Sequence, residues 1–150
     1  MNNAELVKLN DQVIEAWNEH DTEKFLALCD ESIVWSISKG PESFKGKSQV
    51  KEYFNGWKTA FPDLKLKVRN RISNADQIFV EYDFSGTHKG NLQTRAEMPE
   101  ISPTNRKINS SGCYTAKIKN GRIAEVTNYP DRLGLLEQLG VLEALHHVSH

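Results

Sequence analysis

The hydrophobic periodicity of this chain changes most sharply at Phe61-Pro62-Asp63, from mainly helical spacing to mainly alternating, and that change divides what it can fold into. Before the break, apolar residues mostly recur every three or four positions; after it, they mostly alternate with polar ones. Leu6, Leu9, Val13, Ala16 and Trp17 define an amphipathic helix from about Ala4 to His20. His20-Asp21-Thr22 interrupts it, and Phe25, Leu26, Leu28 and Cys29 supply a shorter helix with Asp21 or Thr22 as its N-cap. Ile33, Trp35 and Ile37 alternate with Val34 and Ser36 as a short strand, and Lys39-Gly40-Pro41-Glu42 is a loop. From about Ser48 to Ala60 a third helix sets Val50, Tyr53, Phe54, Trp57 and Phe61 on one face. Pro62 ends it, having no N–H for the helical ladder and disfavouring helix in the residue before it.

Beyond the break, Leu64, Leu66, Val68 and Ile72 share one face of a strand, with Lys65, Lys67, Arg69 and Arg71 as its solvated face. Asn70 is a polar residue in phase with the buried set, expected to be satisfied by a neighbour or to line a cavity. Ser73-Asn74-Ala75-Asp76 turns the chain into a second strand carrying Ile78, Val80, Tyr82 and Phe84. A polar loop with Pro99 and Pro103 runs to about Arg106. Strands from about Lys107 to Lys119 and Arg122 to Tyr129 flank Asn120-Gly121, a strong hairpin signal. A regular hairpin pairs Ile118 with Ile123, Ala116 with Glu125, Tyr114 with Thr127, Gly112 with Tyr129 and Ser110 with Asp131. Asp131 then shares a face with Tyr114 and Tyr129, and Asn128 the other face with Cys113 and Val126. A bulge would exchange the two sets. Helices first and strands later imply an α+β domain, helices on one face of an antiparallel sheet.

At 150 residues the chain is expected to form one domain, spanning 1–150. A formal net charge of −1 argues against nucleic acid as a partner, and no apolar run is long enough for a membrane span. The first residues lack the basic and apolar regions of a signal peptide, so a cytoplasmic location is expected. Cys29 and Cys113 fit no metal or redox spacing and read as two reduced core thiols. The segment Leu145-His146-His147-Val148-Ser149-His150 holds three of the five histidines, but at a chain end it makes a poor metal site.

No phosphate loop, zinc motif or nucleophile elbow is present. What remains suits proton transfer on a small apolar molecule: one carboxylate between a strand and a helix, one histidine in the sheet region and many aromatics. Asp131 has two readings, general base or N-cap of the helix that Gly140 closes. His88 suits a hydrogen-bond donor or general acid, or a strand-end residue held by local bonds. Trp17, Trp35, Tyr53, Trp57 and Tyr82 read as core aromatics whose polar tips could face a cavity. Asn70, Tyr114, Asn128 and Tyr129 complete the candidate ligand-binding set.

The segments Ala60-Phe61-Pro62-Asp63-Leu64, Phe84-Ser85-Gly86-Thr87-His88-Lys89-Gly90, Pro103-Thr104-Asn105-Arg106 and Asp131 through Gly140 together resemble the SnoaL-like polyketide cyclase (ester cyclase) family. The resemblance implies the cone-shaped, cystatin-like α+β barrel shared with nuclear transport factor 2 and ketosteroid isomerase, a curved antiparallel sheet wrapped around N-terminal helices and enclosing a pocket. It further implies cofactor-free cyclisation of a small hydrophobic carbonyl compound in a homodimer, with Asp131 as acid/base and His88 as its partner. A non-catalytic ligand-binding or dimerisation module and an epoxide hydrolase- or isomerase-like enzyme are the alternatives. The chain departs from the family pattern at Pro130, where an aromatic residue is usual, at Asn105, where glycine is usual, and in a longer loop from Asn91 to Ser102.

Overall fold

A computed structural model describes residues 1–38, 42–93 and 99–142. The histidine-rich tail, part of the loop at Lys39-Gly40-Pro41-Glu42 and part of the Asn91 to Ser102 loop lie outside the described residues.

Three helices precede most of the sheet: α1 (Asn3–Asn18), α2 (Thr22–Ala27) and α3 (Gly46–Ala60). Asn2 caps α1 and Asp21 caps α2, each accepting from a first-turn N–H. Six strands follow the chain as β1 (Cys29–Ile37), β2 (Ser43–Lys45), β3 (Lys65–Asn74), β4 (Gln77–Thr87), β5 (Lys107–Lys119) and β6 (Arg122–Pro130), and α4 (Arg132–Leu139) closes the description. They form one curved, open sheet in the order β2-β1-β6-β5-β4-β3. The fold class is therefore the expected α+β one, with one refinement: β1 and β6 run parallel, so the sheet is mixed.

The helices lie on the inner face of this sheet. Phe25 and Phe54 stack at 5.2 Å between Trp17 and Trp35, joining all three helices to β1. Each fully buried phenylalanine contributes roughly 1.5–3 kcal/mol by leaving water.

Two one-residue bulges decide which side chains face inward. In β3, Val68 pairs with Tyr82 but Asn70 with Glu81, leaving Arg69 as the extra residue. From there the expected phase reverses. Ile72 points out and is 60% exposed. Arg71, expected on the solvated face, turns in towards α1. Asn70 is exposed and donates to Glu81 Oε1 at 3.1 Å, so it lines no cavity.

In β6, Ile123 pairs with Ile118 but Glu125 with Lys117, leaving Ala124 extra. The regular-hairpin pairings of Ala116, Tyr114 and Gly112 are each displaced by one, and the ladder ends at Gly112, so the expected pairing of Ser110 with Asp131 is not made. Tyr114 faces Asn128 instead, and Gly112 faces Pro130. Asn128 is consequently buried, and Tyr129 lies opposite Cys113, 39% exposed on the outer face. Both bulges strengthen the local twist and help curl the sheet. Cys29 is a core thiol as expected, with burial pushing its pKa up to about 12, whereas Cys113 is only half-buried on the outer face.

Candidate active site

Between α1, α3 and the inner face of the sheet lies a cavity of about 90 Å³. Its walls follow from the register. Leu66, Phe84 and Ser110 lie in one row across β3, β4 and β5. Tyr82, Gly112 and Pro130 make the next row, then Tyr114 and Asn128, then Ile78, Ala116, Val126 and Trp35. Leu6, Leu9, Asn10, Val13 and Trp17 of α1 and Tyr53 and Trp57 of α3 complete the lining, while Asp131 and Leu135 stand where α4 begins. Asp131 is the exposed member of this set, and Ser110, Ser111 and Pro130 beside it are half-buried, so the opening lies there.

Of the sequence-predicted set, Trp17, Trp35, Tyr53, Trp57, Tyr82, Tyr114, Asn128 and Asp131 come together around this space. Asn70 and Tyr129 do not, because each follows a bulge. His88 is not on the wall either. It is fully buried beside Phe61, ring centroids 5.5 Å apart, and Phe61 in turn meets Trp57 and Phe84 of the lining. Phe61 therefore stands between the imidazole and two aromatic walls.

Local bonds fix the state of His88. The Thr104 N–H donates to Nδ1 at 3.1 Å, so Nδ1 is the unprotonated nitrogen and Nε2 carries the hydrogen. Nε2 sits near the Gly90 and Ile101 carbonyls without completing a well-formed hydrogen bond. Burial lowers its pKa below 6.5, so it is held neutral. The surrounding motif residues make one lock. Asp63 accepts from the Thr87 N–H and hydroxyl at 2.7 and 2.8 Å, which holds its pKa down. Gly90 passes so close to Thr59 that a Cβ would sit 2.3 Å from the Thr59 carbonyl oxygen. These segments fasten the end of α3 to the end of β4.

Polar groups on the apolar walls are few. The Tyr82 hydroxyl donates to Asn128 Oδ1 at 2.8 Å, and Tyr53 lies within reach of Asn128, Trp35 and Trp57. Burial raises the pKa of both Tyr53 and Tyr82 and pushes Tyr114 up to about 12, so all three are neutral hydroxyls. Trp35 Nε1–H is buried with no well-formed hydrogen bond among the described residues. An indole donor left unsatisfied beside a cavity is a place for an acceptor oxygen. Asp131 Oδ1 caps α4 by accepting from Gly134 N at 2.9 Å, while its Oδ2 has no hydrogen-bond partner among the described residues. Cap and base are thus compatible, one oxygen for each. Next to it, Arg132 pairs with Glu42 at 2.7 Å. Among the described residues no group of three or more histidine, cysteine or acidic side chains is arranged to hold a metal ion.

Asn10 is a buried polar site residue that sequence reasoning missed, as it did Ser110 and Ser111 at the mouth. The signal for Asn10 was a polar residue inside the apolar stripe of α1, between Leu9 and Val13.

No curated protein matches the chain. Among solved structures it is similar to AclR from Streptomyces galilaeus, described as a candidate hydroxylase, at 22% identity and a TM-score of 0.79, covering 94% of this chain and 99% of that one. It is also similar to IdmH from Streptomyces antibioticus, described as a candidate polyketide cyclase, at 21% identity and a TM-score of 0.73 over 90% and 98% of the two chains. A protein of ketosteroid isomerase-like fold from Catenulispora acidiphila, in complex with trimethylamine, aligns at 12% identity and a TM-score of 0.70 over 88% and 92%. At these identities the likeness establishes the fold. The sequence profile of SnoaL-like polyketide cyclases, by contrast, matches residues 7–139, and the chain belongs to that family.

Proposed function

We propose that the cavity binds a small hydrophobic carbonyl compound and that Asp131 moves a proton at the carbon beside the carbonyl, without a cofactor. Intramolecular aldol cyclisation or a related isomerisation is the reaction class. The observation that carries this reading is the meeting, in one cavity, of an unshared carboxylate oxygen on Asp131 and the donor cluster of Trp35, Tyr53 and Asn128.

Removing an α-proton leaves negative charge on the carbonyl oxygen, and fixed donors stabilise it most strongly where water is excluded. The indole N–H of Trp35 and the polar tips of Tyr53 and Asn128 supply such donors. In this reading they take the part that the resemblance assigns to His88, whose imidazole acts instead by holding the Asn105 turn to β4. A volume of about 90 Å³ is well below the roughly 300 Å³ usual for drug-sized ligands, so the ligand is compact or projects through the mouth at Asp131.

The test is deuterium exchange at the α-carbon of an aryl β-keto ester such as ethyl benzoylacetate, followed by NMR. The wild-type protein is expected to accelerate exchange. Asp131→Asn, which can still cap α4, is expected to return it to the uncatalysed rate with unchanged melting. Wild-type acceleration in that variant would remove Asp131 as the base. Binding of the ester with no acceleration by the wild-type protein would leave a ligand-binding module rather than an enzyme.

A further inference from the structure

The amide of Asn10 is buried and held at both ends. Its Oδ1 accepts from an Arg71 guanidinium nitrogen at 3.0 Å, and its Nδ2 donates to the Tyr114 hydroxyl oxygen. A guanidinium can only donate, so turning the amide over would set donor against donor. The Tyr114 oxygen is therefore an acceptor, and its own proton has no acceptor among the described residues. Tyr114 is 8% exposed and lines the cavity, so that proton can be satisfied only from the cavity side.

Arg71 reaches Asn10 because the bulge at Arg69 turns it inward. The same nitrogen donates to the Val7 carbonyl at 3.3 Å and to Asp11 Oδ1 at 2.8 Å, which anchors the guanidinium to α1. The order is Asp11, Arg71, Asn10, Tyr114, then the cavity. Across the β5–β6 ladder Tyr114 is the direct partner of Asn128, and side chains so paired start about 5 Å apart. The Tyr114 proton thus stands beside the donor cluster already described.

We infer that Tyr114 donates a hydrogen bond to a second oxygen of the bound compound, next to the oxygen held near Asn128, and that Arg71 is a positioning residue acting through Asn10. This rests on reading the cavity as a carbonyl-compound site and sharpens it. A ligand with two neighbouring oxygens uses both donors, whereas a simple ketone leaves one unmet.

The experiment titrates ethyl benzoylacetate into the wild-type protein and into Tyr114→Phe, Arg71→Met, Arg71→Lys and the Tyr114→Phe/Arg71→Met double variant. Each is first shown by circular dichroism to be folded at the assay temperature. Losing one neutral hydrogen bond should weaken binding by up to about tenfold in Tyr114→Phe. Arg71→Met should weaken it less or equally, and Arg71→Lys, which keeps a donor on Asn10, should stay near wild type. The double variant should bind no worse than Tyr114→Phe alone, because both changes remove one contact. In the infrared, one of the two isotope-labelled carbonyl stretches, ketone or ester, should rise in frequency in Tyr114→Phe and Arg71→Met, a change that lost stability alone would not produce. Wild-type affinity in Tyr114→Phe, or additive losses in the double variant, would overturn the inference. Tyr114-dependent binding with α-exchange insensitive to Asp131→Asn would uphold it and overturn the proposed reaction. No binding to the wild-type protein would overturn both.

Discussion

Replacing Gly112 by alanine tests whether the inner wall is built as described. Gly112 lies between Tyr82 on β4 and Pro130 on β6, and the Tyr82 phenol crosses the space where its side chain would be. A Cβ there would stand 2.6 Å from the Tyr82 hydroxyl oxygen, 2.8 Å from Cζ and 3.1 Å from the Pro130 Cα. The first two are closer than nonbonded carbons and oxygens tolerate, and a phenol ring cannot bend to escape. Either the strands part or Tyr82 swings away and breaks its 2.8 Å bond to Asn128. Overpacking costs about 1–3 kcal/mol, and an orphaned buried acceptor about 1–3 kcal/mol. Alanine returns roughly 0.5–1 kcal/mol by narrowing the unfolded ensemble. Where both costs fall, the net loss is about 1–5 kcal/mol, which for a chain of this size lowers Tm by roughly 2–20 °C.

Urea denaturation of Gly112→Ala, Tyr82→Phe and the double variant measures this. Tyr82→Phe alone loses one hydrogen bond, about 1–2 kcal/mol. It also removes the atom nearest the new Cβ, so the double variant should be more stable than the sum of single effects predicts by about 1 kcal/mol. A Gly112→Ala protein within about 0.5 kcal/mol of wild type, the range of an inconsequential surface change, would refute the placement of Tyr82 across Gly112. So would strict additivity.

Two other outcomes are open to direct measurement. Asn105 has φ 59°, the left-handed region where asparagine is tolerated and glycine is at ease, so Asn105→Gly should leave thermal stability nearly unchanged. Asn105→Val should lower it by about 1–2 kcal/mol, and equal melting of the two variants would contradict the turn. His88 has a pKa below 6.5 in the fold and near 6.5 unfolded, so its contribution is complete above that pH and declines as pH falls below it. The urea midpoint should fall on acidification through this range, and His88→Asn should flatten the profile; an unchanged slope would show that His88 is not held neutral.

Apart from the three-residue β2, which the sequence reading did not expect, the element order was legible because the evidence for it is local. The helical stripe of α1, the Asp21 cap, the stop at Pro62 and the Asn120-Gly121 turn each depend on a few neighbouring residues, and the structure has all of them. The family segments were legible for a different reason from the one the chemistry suggested. Phe61, Asp63, Gly86, Thr87, His88 and Gly90 are a joint between α3 and β4, where Gly86 leaves room for the Phe61 ring and Asp63 ties down Thr87. The neutral, fully enclosed ring of His88 completes this joint. The parallel pairing of β1 with β6 was not legible, since it joins strands far apart in sequence and no turn signals it.

The cavity's polar content turned on two residues that a period-two reading carries past. Alternation through β3 places Asn70 among buried apolar side chains, and alternation through β6 places Glu125 inward, on the face of Ile123. Each would bury a polar or charged group at a cost of several kcal/mol, of order 2–7 for an amide left without a partner. A bulge just before each removes that cost, because one extra residue returns Asn70 and Glu125 to water. The same shift carries Arg71 and Asn128 inward. Arg71 meets the Asn10 and Asp11 side chains, and Asn128 meets the Tyr82 hydroxyl, so neither arrives unpaired. The misfit polar residue was therefore the readable sign of each bulge, and the polar groups of the site are the residues that follow. Deleting Arg69 or Ala124 should therefore leave a regular ladder with Asn70 and Glu125 still in water and Arg71 and Asn128 still inward, so ligand binding should survive the deletion; its loss in a variant that still folds would contradict the register.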